Sequence, residues 1–218
     1  MHPQRVILIV AVILGLGYAW LRGVGPEVGW AIAASSEEAP QRKPGSSLQK
    51  ATFAAGCFWC VEADFDKVKG VVSTISGYIG GRVANPTYEQ VSGGGTGHAE
   101  AVEIVFDPTL VTYEQLLDHF WDNVDPFAAD RQFCDRGDQY RPAIFVHDTA
   151  QRAAAEASKA RVQRGFTQRV VVQIVDAGRF YRAEEYHQDY YKKNPIRYRY
   201  YRWSCGRDER LEEIRGER

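Results

Sequence analysis

Gly56-Cys57-Phe58-Trp59-Cys60 puts two thiols one helical turn apart, with two large aromatic rings between them. A strand, Ala51-Thr52-Phe53-Ala54-Ala55, runs into this segment, and Phe58, Val61, Phe65 and Val68 then recur at helical spacing until Gly70. Cys57 is therefore expected in the first turn of a helix, where unpaired backbone N–H groups and the helix dipole favour an anion. An interaction of roughly 0.3 to 2 kcal/mol would lower a thiol pKa from about 8.5 toward about 7 and leave a substantial thiolate fraction at neutral pH. Two thiols beside aromatic faces suit thiol redox chemistry on an apolar substrate. The plainer alternative is a buried core cysteine among ordinary core aromatics. The second cysteine counts against it, because a bridge closing one helical turn constrains too little chain to be purely structural.

The next chemical candidate is a carboxylate. His98 to Phe106 alternates as a strand, with Glu100 on the face of Val102, Ile104 and Phe106 and Glu103 on the face of Ala99, Ala101 and Val105. If the first face is the core, Glu100 is desolvated and its pKa rises. A rise from about 4.3 to about 6.5 takes the protonated fraction at pH 7 from about 0.2% to about a quarter, enough for a general acid. The alternative is an exposed strand-end glutamate.

Other chemistry-bearing residues read more plainly. Gly93-Gly94-Gly95-Thr96-Gly97 lacks the Gly-Lys-Ser/Thr ending of a phosphate loop and precedes a strand, so it reads as a flexible connection near a substrate. Arg197-Tyr198-Arg199-Tyr200-Tyr201-Arg202-Trp203 reads as an arm laid over the domain, aromatics inward and arginines outward. His187, on an expected helix, reads as a structural histidine. A zinc site from Cys57, Cys60, Cys134 and Cys205 lacks a second Cys-x-x-Cys, and no metal is expected.

The elements that must position these residues follow from periodicity. An apolar stretch spans Val71 to Ile79, and a Gly-rich loop spans Gly80 to Gly97. A helix opens at Thr112-Tyr113-Glu114-Gln115 and carries Leu116, Leu117, Phe120 and Trp121. A polar loop with Cys134 leads to a strand over Pro142 to His147. A helix over Thr149 to about Gln163 ends at Gly165, and a last strand covers Arg169 to Val175. This order predicts an α+β fold, a split βαβ (ferredoxin-like) sandwich with additional helices and a long irregular C-terminal arm.

With 27 Lys+Arg against 28 Asp+Glu, charge offers no argument for nucleic acid as a partner. The apolar run Val6 to Leu21 is ~16 residues and spans about 24 Å as a helix, short of a hydrocarbon core of roughly 30 Å. Residues 1–34 are thus expected to be a signal peptide or membrane anchor, with cleavage and retention both open. Residues 35–49 read as a polar linker and 50–218 as the catalytic domain, long enough for one buried core. An exported protein is expected, periplasmic or extracytoplasmic and membrane-anchored, and a monomer. Export leaves structural disulfides open for any of the four cysteines.

Several blocks together carry a resemblance. Gly56-Cys57-Phe58-Trp59, Asn85-Pro86-Thr87-Tyr88, Thr96-Gly97-His98-Ala99-Glu100-Ala101-Val102, Asp135-Arg136-Gly137-Asp138-Gln139-Tyr140-Arg141 and Ala183-Glu184-Glu185-Tyr186-His187-Gln188 occur in this order. The chain from about Ala51 to Asn194 resembles the A-type peptide methionine sulfoxide reductases. The resemblance implies reduction of the S epimer of methionine sulfoxide, free or in proteins, without metal or organic cofactor, in an α/β sandwich of split βαβ type. It implies Cys57 as nucleophile, Glu100 as the acid that protonates the departing oxygen, and Tyr88 and Tyr140 as hydrogen bonders of that oxygen. Asp135 would support the polar side, and Phe58 and Trp59 would enclose the methyl group.

The sequence departs from the commonest pattern of that family where a second thiol must act. Cys60 stands where Gly is often found, Ser92 where Cys is often found, and Pro142 where Ser is usual. A Gly-rich cysteine tail is absent, leaving Cys205 in Ser204-Cys205-Gly206-Arg207. Cys60, near but needing to distort the first turn, Cys205 on a mobile arm, and Cys134 beside Asp135 are the candidates to resolve a sulfenic acid on Cys57. A thioredoxin-like reductant would complete turnover. The residues by themselves leave two rivals: a thiol-disulfide oxidoreductase using Cys57 and Cys60, and a non-catalytic module gripping methionine-rich or oxidised segments.

Overall fold

The computed structural model describes residues 47–216, so the apolar run Val6 to Leu21 and most of the linker lie outside the described residues. In chain order the elements are β1 (Gln49–Ala54), α1 (Phe58–Phe65), β2 (Val71–Ile79), α2 (Tyr88–Ser92), β3 (Ala99–Phe106) and α3 (Tyr113–Asp122). Two short strands follow, β4 (Arg131–Gln132) and β5 (Asp135–Arg136), then a single 3-10 turn over Asp138–Tyr140. Next come β6 (Ala143–Val146), α4 (Thr149–Arg164), β7 (Gln173–Asp176) and β8 (Tyr181–Arg182). Three helices close the chain: α5 (Tyr190–Lys193), α6 (Pro195–Ser204) and α7 (Arg207–Gly216).

Six strands form one sheet in the order β7-β6-β1-β3-β2-β8, antiparallel except for the parallel pair β6–β7. The period of two along β3 decides what lies beneath the helices. Val102, Ile104 and Phe106 join Phe53 of β1 in a core with Phe58, Val61 and Phe65 of α1 and Leu116, Leu117, Phe120 and Trp121 of α3. Phe53 stacks between Phe65 and Phe120 at 5.2 Å from each ring. Truncating such a side chain costs about 3–5 kcal/mol. The opposite face is lined by Ala54, Ile79, Ala99, Ala101, Ala143 and Phe145, and so is apolar as well.

Four expectations change. The first helix stops at Phe65 instead of continuing to Gly70, because the carboxylate of Asp66 is taken from outside by Thr74, Tyr191 and Lys192. The Gly-rich connection contains α2, started by a reciprocal cap in which Thr87 accepts from Gln90 N–H and Gln90 accepts from Thr87 N–H. The strand expected over Arg169 to Val175 begins at Gln173, since Val170 N–H donates to Gln163 and Val171 N–H to Pro126, away from the ladder, and it is not the last, because β8 follows it.

The fourth change concerns the C-terminal segment, which is helical where an irregular arm was expected. Arg-Tyr alternation suggests a period of two, but Tyr198, Tyr201, Arg202 and Cys205 fall on one helical face, and Pro195 opens the helix where its missing N–H costs nothing. The aromatics are therefore not uniformly inward: Tyr200 is 67% and Trp203 76% exposed, while Arg207 is buried. Among the described residues no helix is long and apolar enough to cross a membrane.

Candidate active site

The turn between β1 and α1 is shaped by Gly56. Its φ of +85° is a left-handed conformation, and a Cβ there would lie 2.5 Å from Cβ of Gln132. Gln132 cannot yield easily, because its amide is buried and bonded to both the N–H and the carbonyl of Asp125. Cys57 follows as the N-cap of α1, with non-helical backbone (φ −51°, ψ 118°), and its carbonyl accepts from the N–H of Cys60 at 3.0 Å. Both thiols are free and buried.

Expectation and structure part company over which group takes the anion site at this helix start. The N–H of Phe58 donates to Glu100 Oε2 at 3.1 Å, so the first amide of α1 faces the carboxyl of β3 rather than the thiol. Cys57 is pushed well above the ordinary thiol range by burial, by donating its S–H to Cys60, and by the negative fields of Cys60 and Glu100. The expected fall toward 7 does not occur, because desolvation and the hydrogen bond donated to Cys60 outweigh one helical turn's dipole. Cys60 moves the other way, lowered first by the hydrogen bond from Cys57 and then by the fields of Arg207 and Arg202, against the opposing effect of burial.

Glu100 is 2% exposed and lies on the core face of β3 with Val102 and Ile104. Burial raises its pKa to about 8, against the bond from Phe58 N–H, with Asp135 and Cys60 adding to the rise. That is higher than the 6.5 expected from sequence, because none of the causes of the shift is a cation. At pH 7 a carboxyl with a pKa of about 8 is roughly nine-tenths protonated.

Two phenols look onto this carboxyl from separate elements. Tyr88, the first residue of α2, is raised to about 12 by burial and the charges of Glu100 and Cys57. Tyr140, in the 3-10 turn, is raised by burial and then by Glu100. The turn is tied to the Gly-rich loop by Arg141, which donates to the carbonyls of Asp138 and Gly97 at 2.8 and 2.9 Å. Asp135, on β5, has its carboxyl raised by burial against the bond from Tyr201 and the field of Arg207. The fold brings Cys57, Glu100, Tyr88, Tyr140 and Asp135, from five separate elements, within reach of one another's fields.

The aromatic wall is held from behind by residues that sequence reasoning left structural or passed over. Trp59 donates its indole N–H to His187 Nδ1 at 2.9 Å and stacks on Tyr190 at 3.7 Å. The buried ring of His187 also meets Phe58 at 4.9 Å and Tyr88 at 4.5 Å. Glu184 accepts from Tyr78 Oη and from Tyr88 N–H, both at 2.8 Å, and Gln188 exchanges bonds with both backbone groups of Ser76. The block from Ala183 to Gln188 therefore fixes the aromatics against β2. His98 pins Gly81 N–H and bonds the carbonyl of Val83, steadying the start of the loop.

A second set comes from the chain's end. Tyr201 on α6 donates to Asp135 Oδ2 at 2.5 Å, and its phenol pulls the Cys57 pKa down against the larger effect of burial. Arg202 pairs with buried Asp64 on α1 at 2.8 Å. Arg207, 2% exposed, donates to the carbonyls of Ala55 and Asn123, lies over the ring of Phe133 at 4.5 Å and faces Asp64 at 3.6 Å. No sequence signal marked Tyr201; the helical rather than alternating period of Tyr198, Tyr201 and Cys205 would have found its face.

Cys134 and Cys205 are joined in a disulfide with Cα atoms 4.9 Å apart. This corrects the mobile arm expected to carry Cys205 and divides the four cysteines into two pairs, so they do not form one zinc ligand set. It also leaves Cys60 as the free thiol beside Cys57.

The sequence model of the peptide methionine sulfoxide reductase family matches residues 49–218. A peptide methionine sulfoxide reductase MsrA of Ligilactobacillus salivarius is 57% identical over 154 residues, 70% of this chain and 90% of that protein. A two-part peptide methionine sulfoxide reductase MsrA/MsrB of Vibrio cholerae is 51% identical over 173 residues, 78% of this chain but 46% of that protein, so the chain spans about half its length. Among solved structures, methionine sulfoxide reductase A of Corynebacterium diphtheriae superposes with a TM-score of 0.63 at 34% identity, covering 71% of this chain and 77% of that one.

Proposed function

The chain belongs to the peptide methionine sulfoxide reductase family and is a peptide-methionine (S)-S-oxide reductase, and from that footing we propose how its residues divide the reaction. The observation that carries the division is a buried carboxyl that stays protonated at neutral pH and accepts from the backbone N–H of Phe58, the residue next to the buried thiol of Cys57. Cys57 attacks the sulfoxide sulfur as thiolate. The sulfoxide oxygen leaves poorly unless protonated, and Glu100 supplies that proton while Tyr88 and Tyr140 hydrogen-bond the oxygen. The sulfur–sulfur bond made by the attack then breaks toward the substrate as the protonated oxygen moves to the Cys57 sulfur as hydroxyl, so that two electrons pass to the substrate sulfur and methionine and a Cys57 sulfenic acid result, with the one proton from Glu100 consumed. Phe58 and Trp59 hold the methyl group, and Asp135 supports the polar side.

Cys60 then attacks the sulfenic sulfur, forming a Cys57–Cys60 disulfide and releasing water. The non-helical backbone of Cys57 supports this choice, since the N-cap thiol and the free, buried thiol of Cys60 interact without unwinding a helical residue. A thioredoxin-like dithiol reduces this disulfide by exchange, and no metal or organic cofactor enters the cycle. The finer architecture proposed is a split βαβ sandwich, supported by the run β6-β1-β3-β2 within the sheet. The proposed organisation is a signal peptide or anchor at 1–34, a linker at 35–49 and the catalytic domain at 50–218, acting outside the cytoplasm. The apolar run Val6 to Leu21 and the Cys134–Cys205 disulfide support that compartment.

The test is turnover of the separated S and R epimers of a blocked methionine sulfoxide by the full chain with dithiothreitol, beside Cys57→Ser and Glu100→Gln. S-selective reduction lost in the first variant and strongly slowed in the second is the expected result. Glu100→Gln turning over at the parent rate would remove the carboxyl from its role.

A further inference from the structure

Ile196, Tyr200 and Trp203 are the three most exposed large apolar side chains among the described residues, at 75%, 67% and 76%, and all three belong to α6. Their positions, i, i+4 and i+7, fall within about 60° of arc and form one stripe along the helix. The inward face of α6 is accounted for within the domain: Tyr198 is buried and meets Tyr191 at 5.9 Å, Tyr201 donates to Asp135, and Arg202 pairs with Asp64 and Asp208 at 2.8 and 2.6 Å. The stripe has no such role. Its own rings, Tyr200 and Trp203, lie 6.0 Å apart and face outward. Beside it Arg197 and Arg199 are exposed, and among the described residues neither has a carboxylate partner. Of the two carboxylates in the groove next to Trp203, Asp208 is neutralised by Arg202 and Glu209 alone opposes these arginines, so the flank is net positive.

Tryptophan and tyrosine with an arginine fringe suit a membrane–water interface, where the rings enter the headgroup layer and the cations meet anionic headgroups. The stripe exposes a few hundred Å², below the roughly 800 Å² per partner of a specific protein interface. A bilayer demands no matching shape, and a tether to it makes a small contact sufficient. We propose that the outward face of α6 is a membrane contact, in which Ile196, Tyr200 and Trp203 enter the headgroup layer of a bilayer and Arg197 and Arg199 meet its anionic phospholipids. The proposal rests on the reading of residues 1–34 as a membrane anchor and deepens it: the anchor supplies the tether and α6 the orientation. On the other side of the same helix, Tyr201 meets Trp59 of the methyl-binding wall at 5.8 Å. That wall then lies about one helix diameter, roughly 10–12 Å, behind the bilayer surface, which favours oxidised methionines in membrane-proximal protein segments as substrates.

The tryptophans of the full chain, Trp20, Trp30, Trp59, Trp121 and Trp203, allow both parts to be read in one sample. The full chain is labelled with 5-fluorotryptophan and held in nanodiscs of phosphatidylcholine and phosphatidylglycerol, and each fluorine resonance is assigned by replacing its tryptophan with Phe. A lipid carrying a nitroxide on its headgroup should broaden the lines of Trp203 and of Trp20, which reports the anchor, and leave that of buried Trp121 sharp. Arg197→Gln/Arg199→Gln, or discs of phosphatidylcholine alone, should cut the broadening at Trp203 several-fold and leave that at Trp20 in place. Trp20 broadened with Trp203 as sharp as Trp121 would overturn the proposal and keep the anchor. Trp203 broadened with Trp20 sharp would uphold the contact and remove the anchor, and both lines sharp would remove both. A Trp203 line that stays sharp while the chain sediments as a dimer would assign the face to a second copy instead.

Discussion

The two cysteine pairs are built on opposite terms. Cys57 and Cys60 are three residues apart at one helix start, buried and free, whereas Cys134 and Cys205 are 71 residues apart, joined, and closer to solvent. A bridge between the first two would close one turn and constrain almost nothing, so its value is chemical. A bridge closing a loop of this length restricts the unfolded chain by about 4 kcal/mol in the loop-entropy account, so its value is structural. The difference also sorts the environment. The first pair faces a protonated carboxyl and phenols on one side and the fields of two arginines on the other, while the second ties the loop bearing Asp135 to the helix bearing Tyr201.

The sharpest test of this division is to exchange serine into each pair. Cys57→Ser should abolish reduction of the S epimer, a loss of at least about a thousandfold in initial rate with dithiothreitol. Next in size, Glu100→Gln should lower kcat/KM by about a hundredfold or more and erase the fall in rate that the parent shows as pH rises through about 8, where Glu100 loses its proton. A pH–rate profile of both proteins reads this directly.

Cys60→Ser should leave a first turnover near the parent rate but stall thereafter with a thioredoxin-type reductant. The trapped Cys57 sulfenic acid would be captured by dimedone and seen as an adduct by mass spectrometry. A parent-like steady state in that variant would transfer resolution to another thiol and blur the comparison. Smaller again, the Cys134→Ser/Cys205→Ser double variant should keep turnover within about tenfold of the parent while losing thermal stability, by roughly 4 kcal/mol at most. Calorimetry and turnover on the same sample would separate the two effects.

The last prediction concerns stability alone. The folded-state pKa of Glu100 is about 8 against an ordinary 4.5, so its contribution is intact below about pH 4.5 and is lost as pH rises toward 8. Glu100→Gln should therefore gain on the parent between pH 5 and pH 9, by an amount on the order of a few kcal/mol in urea unfolding.

Some of this was legible from one-dimensional pattern. The alternation from Ala99 to Phe106 fixed Glu100 on the core face, because successive strand residues point to opposite sides. Thr87-x-x-Gln90 is a capping signature that marks α2, although the glycines around it obscured the helix. The alternation of Arg and Tyr from Arg197 misled, since residue type and helical period disagreed there. His187 was legible as structural but not as the acceptor that aims Trp59, for its partner lies 128 residues away.

The sequence by itself determined where Cys57, Phe58, Trp59 and Glu100 stand, because each belongs to a local motif whose period states where it points. The tertiary structure decided the protonation of the site and the pairing of its thiols. The arginines Arg202 and Arg207 near Cys60 and the meeting of Cys134 with Cys205 depend on α6 and α7 folding back onto α1, while Glu100 is buried on the central strand β3 under α1. Desolvation and Coulomb fields act through space, and a linear pattern records neither.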